Sequence, residues 1–139
     1  MINATYRRTL QVLFISAMMG CDHADNTREH MEGMRSGYAH IGPLKMYYEV
    51  RGGGRTPLVL IHGGGSTIES NWGRIIDILA ADRQVIAVEL QAHGHTPDVP
   101  DRPTSFEQDA DDVAGLLAYL KIAKADFFGF SNGGNTAMQ

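Results

Sequence analysis

The 139-residue chain has a single cysteine, Cys21, which excludes an internal disulfide framework and any metal cage built from cysteines alone. It has no excess of positive charge, because 12 Lys and Arg stand against 16 Asp and Glu, a formal net charge of −4. That balance creates no global field attracting phosphate backbones, so nucleic-acid binding is not expected. It also lacks an apolar run of the roughly 20 residues that a bilayer-spanning helix needs. Internal repeats and low-complexity tracts are absent as well. What it does have is a hydrophobic fraction of 43%, enough apolar side chain to build a core and to argue against disorder. It also has sixteen glycines, and their positions carry most of the functional information.

The amino terminus reads as an address. Arg7 and Arg8 precede a mostly apolar stretch from Leu10 to Gly20, the layout of a secretory signal peptide. The segment Met18-Met19-Gly20-Cys21 resembles the lipobox of bacterial lipoproteins, in which the cysteine is lipidated after cleavage. That family favours Leu and a small residue where Met18 and Met19 stand. The layout predicts a signal peptide over 1–20, and the resemblance implies attachment to a membrane through Cys21 and residence in the bacterial envelope or periplasm. The other reading is an amphipathic or mistranslated leader ahead of a cytoplasmic protein. Residues 21–36 are mostly polar and without periodicity, as a tether would be. His23 and His30 have no His or Cys partners at ligand spacing, so they read as solvent-facing and no metal site is expected.

From 37 onward strands and helices alternate. Tyr38–Ile41 and Leu44–Val50, joined by Gly42-Pro43, read as a hairpin. Pro57-Leu58-Val59-Leu60-Ile61 and Val85-Ile86-Ala87-Val88 are continuously apolar, which suits strands covered on both faces. Trp72, Ile75, Ile76 and Leu79 predict a helix over 70–80. Phe106, Ala110, Val113, Leu117 and Leu120 predict another over 104–121, with Thr104 and Glu107 as its capping box. Asp109, Asp111 and Asp112 are expected on its solvated face. A strand over 126–130 leads into a last helix. The pattern is that of an α/β domain: an antiparallel hairpin, then a mostly parallel sheet flanked by helices.

Two strand ends carry the candidate chemistry. Gly129-Phe130-Ser131-Asn132-Gly133-Gly134 is a G-x-S-x-G pattern between a strand and a helix. A serine on so sharp a turn is exposed, provided that nothing larger than glycine stands two residues to either side. Gly134 is expected to let the helix approach the sheet. His62-Gly63-Gly64-Gly65-Ser66 follows the first apolar strand. Its bare backbone could present N–H groups to a reacting carbonyl, together with the N–H of Asn132. A Walker loop is excluded by the missing Gly-Lys-Ser/Thr, and a dinucleotide motif by Ile68 where its third glycine would fall.

With these motifs in this order, the chain over 38–139 resembles the α/β-hydrolase superfamily of serine-hydrolase type. The run Glu89-Leu90-Gln91-Ala92-His93-Gly94-His95 is similar to the loop that follows the next strand in that family, although Glu89, Gln91 and Ala92 depart from its commonest residues. The resemblance implies Ser131 as nucleophile and the backbone N–H groups of Asn132 and of Gly64 or Gly65 as oxyanion donors. It implies an ester or related acyl compound as substrate, and no cofactor. His62 is implied to support the loop. His93 and His95, on a loop at the same sheet edge, could bring one ring to the site, but they read as structural or solvent-facing.

All six histidines precede Ser131, whereas the family orders nucleophile, acid, then histidine. The acid and base are therefore expected outside 1–139. Residues 37–139 are accordingly expected to be an incomplete domain, truncated after the nucleophile turn and inactive alone, with its last strand an apolar edge. Two other readings stay open. One is a non-catalytic binding or remnant protein; the other is a nucleotide-binding α/β domain using Gly63–Gly65.

Overall fold

The computed structural model describes residues 33–139. The expected signal peptide, Cys21, His23 and His30 lie outside the described residues. Five strands form one sheet in the order β1-β2-β4-β3-β5. Strands β1 (Arg35–Ile41) and β2 (Leu44–Arg51) make the antiparallel hairpin, in register from Arg35 opposite Val50 to Ile41 opposite Leu44. Strand β1 thus takes in Arg35 and Ser36, the last residues of the segment read as a tether.

Strand β2 pairs antiparallel with β4 (Val85–Val88), which pairs parallel with β3 (Leu58–Ile61). Strand β3 in turn pairs parallel with β5 (Asp126–Gly129). The two central strands are buried at every residue, as their unbroken apolar runs require. Alternation sends their side chains to opposite faces. Val59, Ile61, Ile86 and Val88 join Val113 and Leu116 on one side, while Leu58, Leu60, Val85 and Ala87 join Ile68, Trp72 and Ile76 on the other. Burial of each such aliphatic side chain contributes about 2 kcal/mol. Strand β5 is one edge of the sheet among the described residues, and Phe127 and Phe128 on it are each 45% exposed.

The helices depart from expectation in detail. The segment predicted as one helix over 70–80 is two short ones, α1 (Ile68–Trp72) and α2 (Ile76–Ala80). Gly73, a weak helix former, follows the first, and the Ile75 N–H turns back to the Trp72 carbonyl at 2.8 Å, closing a tighter turn. The start of α1 is capped by Thr67, whose side chain accepts from the Ser70 N–H. Helix α3 (Phe106–Tyr119) is capped by Ser105, which accepts from the Gln108 N–H, in place of Thr104 with Glu107. Helix α4 (Asn132–Ala137) follows β5. Among the described residues no helix is long and apolar enough to cross a membrane.

Candidate active site

Ser131 links β5 to α4 with φ 52° and ψ −116°, a conformation that costs a non-glycine residue free energy. Close packing enforces it. A Cβ on Gly129 would fall on the Gly133 carbonyl, and one on Gly133 would fall on the Ile61 carbonyl of the neighbouring strand. The Phe130 N–H donates to that same Ile61 oxygen at 3.0 Å, tying the turn to the end of β3. Ser131 occupies the cap position of α4, yet its side chain makes no capping bond and the residue is exposed. Its hydroxyl is therefore presented free.

The glycine loop lies over this turn. A Cβ on Gly63 would stand 3.3 Å from Ser131 Cβ, and one on Gly64 would stand 3.2 Å from Asn132 Nδ2. Two of the three glycine amides are engaged by side chains from elsewhere. The Gly63 N–H donates to Asn71 Oδ1 on α1 at 3.0 Å, and the Gly65 N–H donates to His93 Nε2 at 3.0 Å. Among the described residues neither the Gly64 N–H nor the Asn132 N–H has a protein acceptor. Of the two loop residues offered by the sequence, Gly64 keeps a free donor and Gly65 does not. With an exposed hydroxyl placed to attack a carbonyl, the two unengaged N–H groups beside it can stabilise the negative charge that develops on the carbonyl oxygen.

The histidines nearby are held by the backbone. His62 is fully buried at the end of β3; its Nε2 accepts the Leu90 N–H at 3.1 Å, so Nδ1 carries the proton and donates to the Gly63 carbonyl at 2.8 Å. Burial pushes its pKa below the ordinary value, against the opposing pull of that Gly63 bond. His93 has the same tautomer, with Nδ1–H donating to the Gln91 carbonyl at 2.8 Å. Both nitrogens of each ring are engaged, so neither serves Ser131 as a base. His95 turns Nδ1 onto Glu89 at 3.0 Å, and His40 sits on β1 at the far edge of the sheet.

Two carboxylates were not legible as buried. Glu89, 2% exposed, accepts from the Ile68 N–H at the start of α1 at 3.2 Å and from the His95 N–H. It thereby joins the loop after β4 to the helix after the glycine loop. Its only signal in the sequence is an acid directly after four buried apolar residues. Asp112 was expected in solvent and is instead 2% exposed, paired with Arg102. Asp109 is partly buried too; desolvation and then the charge of Asp112 raise its pKa. Asp111 alone of the three is left on the outside of α3.

A parallel sheet core led by an antiparallel hairpin, with a strained serine turn facing a glycine loop, defines an α/β protein of hydrolase architecture. Residues 56–139 match the alpha/beta hydrolase fold family, and the chain belongs to it. Over 97 residues it is 39% identical to the dihydrolipoyllysine-residue acetyltransferase component of the acetoin cleaving system of Pseudomonas putida, which covers 70% of this chain and 26% of that protein. It is 34% identical over 84 residues to 2-hydroxymuconate semialdehyde hydrolase of Pseudomonas sp. (strain CF600), with 59% and 30% covered. The solved enol-lactonase from Burkholderia xenovorans LB400 superposes with a TM-score of 0.66 at 32% identity, over 71% of this chain and 38% of that one. The chain spans about a quarter to two fifths of the length of these relatives.

Proposed function

We propose that this chain carries the nucleophile half of a serine hydrolase acting on an ester, lactone or related acyl compound. Ser131 Oγ attacks the carbonyl carbon, and the resulting oxyanion is held by the N–H groups of Gly64 and Asn132. The observation that carries this reading is the pairing of a strained, uncapped Ser131 with the one glycine-loop amide left unengaged. The hydrolase and the enol-lactonase to which the chain is similar are in keeping with it. The acid and base that complete the reaction are proposed to come from residues beyond 139, because every histidine here precedes Ser131 and those around the site are engaged. Envelope residence with Cys21 lipidated is part of the same proposal; radiolabelled palmitate incorporation lost in Cys21→Ser is its test.

The catalytic test uses an activated aryl ester. Residues 1–139 alone are expected to turn it over no faster than their Ser131→Ala variant does. A longer chain from the same reading frame, with a further acid and then a histidine, is expected to turn it over and to lose this with Ser131→Ala. Turnover that survives Ser131→Ala in the longer chain overturns the assignment.

A further inference from the structure

We propose that His93 is the positioning residue of the glycine loop: its neutral ring, accepting the Gly65 N–H on Nε2, holds the loop so that the Gly64 N–H stays free beside the Ser131 turn. The oxyanion role of that N–H rests on the reading of Ser131 above; the loop geometry does not. Three contacts leave the ring little freedom. Nδ1–H is fixed on the Gln91 carbonyl, the ring packs against His62 at 4.8 Å between centroids, and the His93 N–H and C=O bond to Leu90 and Thr96. Ala92, immediately before it, adopts φ 61°, an unfavourable conformation for a residue with a Cβ, and so turns the chain back.

The consequence is an acceptor aimed at one amide, 28 residues away in sequence. With Nδ1 protonated and held by Gln91, Nε2 has a lone pair and no proton, so it can only accept. The loop itself has no side chain between His62 and Ser66 with which to fix its own path. Asn71 holds the first glycine amide and His93 the third, and the middle one is left over.

The experiment is NMR on the full 139-residue chain, with His93→Phe removing the acceptor and His93→Gln supplying a side-chain oxygen in its place. In His93→Phe the Gly65 amide is expected to exchange with solvent about tenfold faster, the worth of one net hydrogen bond. The through-space contact between the Gly64 α-protons and the Asn132 side chain is expected to fade in the same variant. His93→Gln is expected to keep both, and the β1–β2 cross-strand contacts are expected to be unchanged in each. Unaltered Gly65 exchange and an unaltered Gly64–Asn132 contact in His93→Phe overturn the proposal. Should that variant unfold, the unsubstituted chain decides, because a through-hydrogen-bond scalar coupling between the Gly65 amide and His93 Nε2 is expected there. Absence of that coupling overturns the proposal equally. None of these readings needs Ser131 to react, and Ser131→Ala is expected to reproduce them, so failure here and failure of the nucleophile assignment are distinguishable.

Discussion

Arg102 lays two guanidinium nitrogens on the two carboxylate oxygens of Asp112, with Nη1 2.9 Å from Oδ2, and neither side chain is more than 12% exposed. Arg102 also donates to Gln91, whose amide donates to Asp98 at 2.8 Å, so the pair anchors the segment between β4 and α3. Removing one partner leaves the other charge buried and alone. Asp112→Ala is expected to cost about 3 kcal/mol in urea unfolding. The double variant Arg102→Met with Asp112→Leu is expected to recover most of that loss, since no charge then remains to be solvated.

Gly133 and Gly134 are adjacent but predicted to behave oppositely. A Cβ at 133 meets the Ile61 carbonyl, whereas one at 134 comes no nearer than 3.4 Å to the Gly129 carbonyl oxygen. The close approach expected of Gly134 thus belongs to Gly133. Gly133→Ala is expected to destabilise by about 3 kcal/mol. Gly134→Ala is expected to be neutral or to gain up to about 1 kcal/mol from helix propensity. Thermal unfolding of the two variants side by side distinguishes them.

Ser131 stores strain at the position where the chemistry is proposed. Ser131→Gly relieves the cost of φ 52° and is expected to raise stability by about 1 kcal/mol, while Ser131→Ala, which keeps the Cβ, should leave it nearly unchanged. Equal urea midpoints for the glycine and alanine variants would contradict a strained turn.

His62 gives the fold an acid-sensitive point. Its folded pKa is depressed below 6.5, so beneath that value the unfolded chain binds the proton more readily than the native one. Its contribution to stability is full above pH 6.5 and is lost as the pH falls from there through the folded value. The urea midpoints of the native chain and of His62→Gln are therefore expected to converge on acidification. The contribution changes by at most about 1.4 kcal/mol per pH unit. A gap that widens in acid would contradict a buried neutral ring.

The sequence was most legible where one residue type meets one local constraint. Two continuous apolar runs became the buried strands β3 and β4, and glycines spaced around Ser131 became a turn that no Cβ could enter. It was least legible where a polar group is satisfied at long range. Asp112 lies on the amphipathic helix α3 and reads as a solvated acid until Arg102 folds back onto it. The bond from His93 to Gly65 joins groups that no local spacing connects. The break between α1 and α2 was obscured because Trp72, Ile75, Ile76 and Leu79 keep a helical rhythm across Gly73.

The glycine loop draws its shape from Asn71 on one helix and from His93 on a distant loop, while Glu89 fixes the helix that follows it. Its five-residue signature is therefore not portable. Grafted into another scaffold, His62 to Ser66 would carry the permissive backbone but none of the instructions for folding it. An engineer wishing to transplant the feature must move a three-point frame, and the residues to copy are the ones outside the motif.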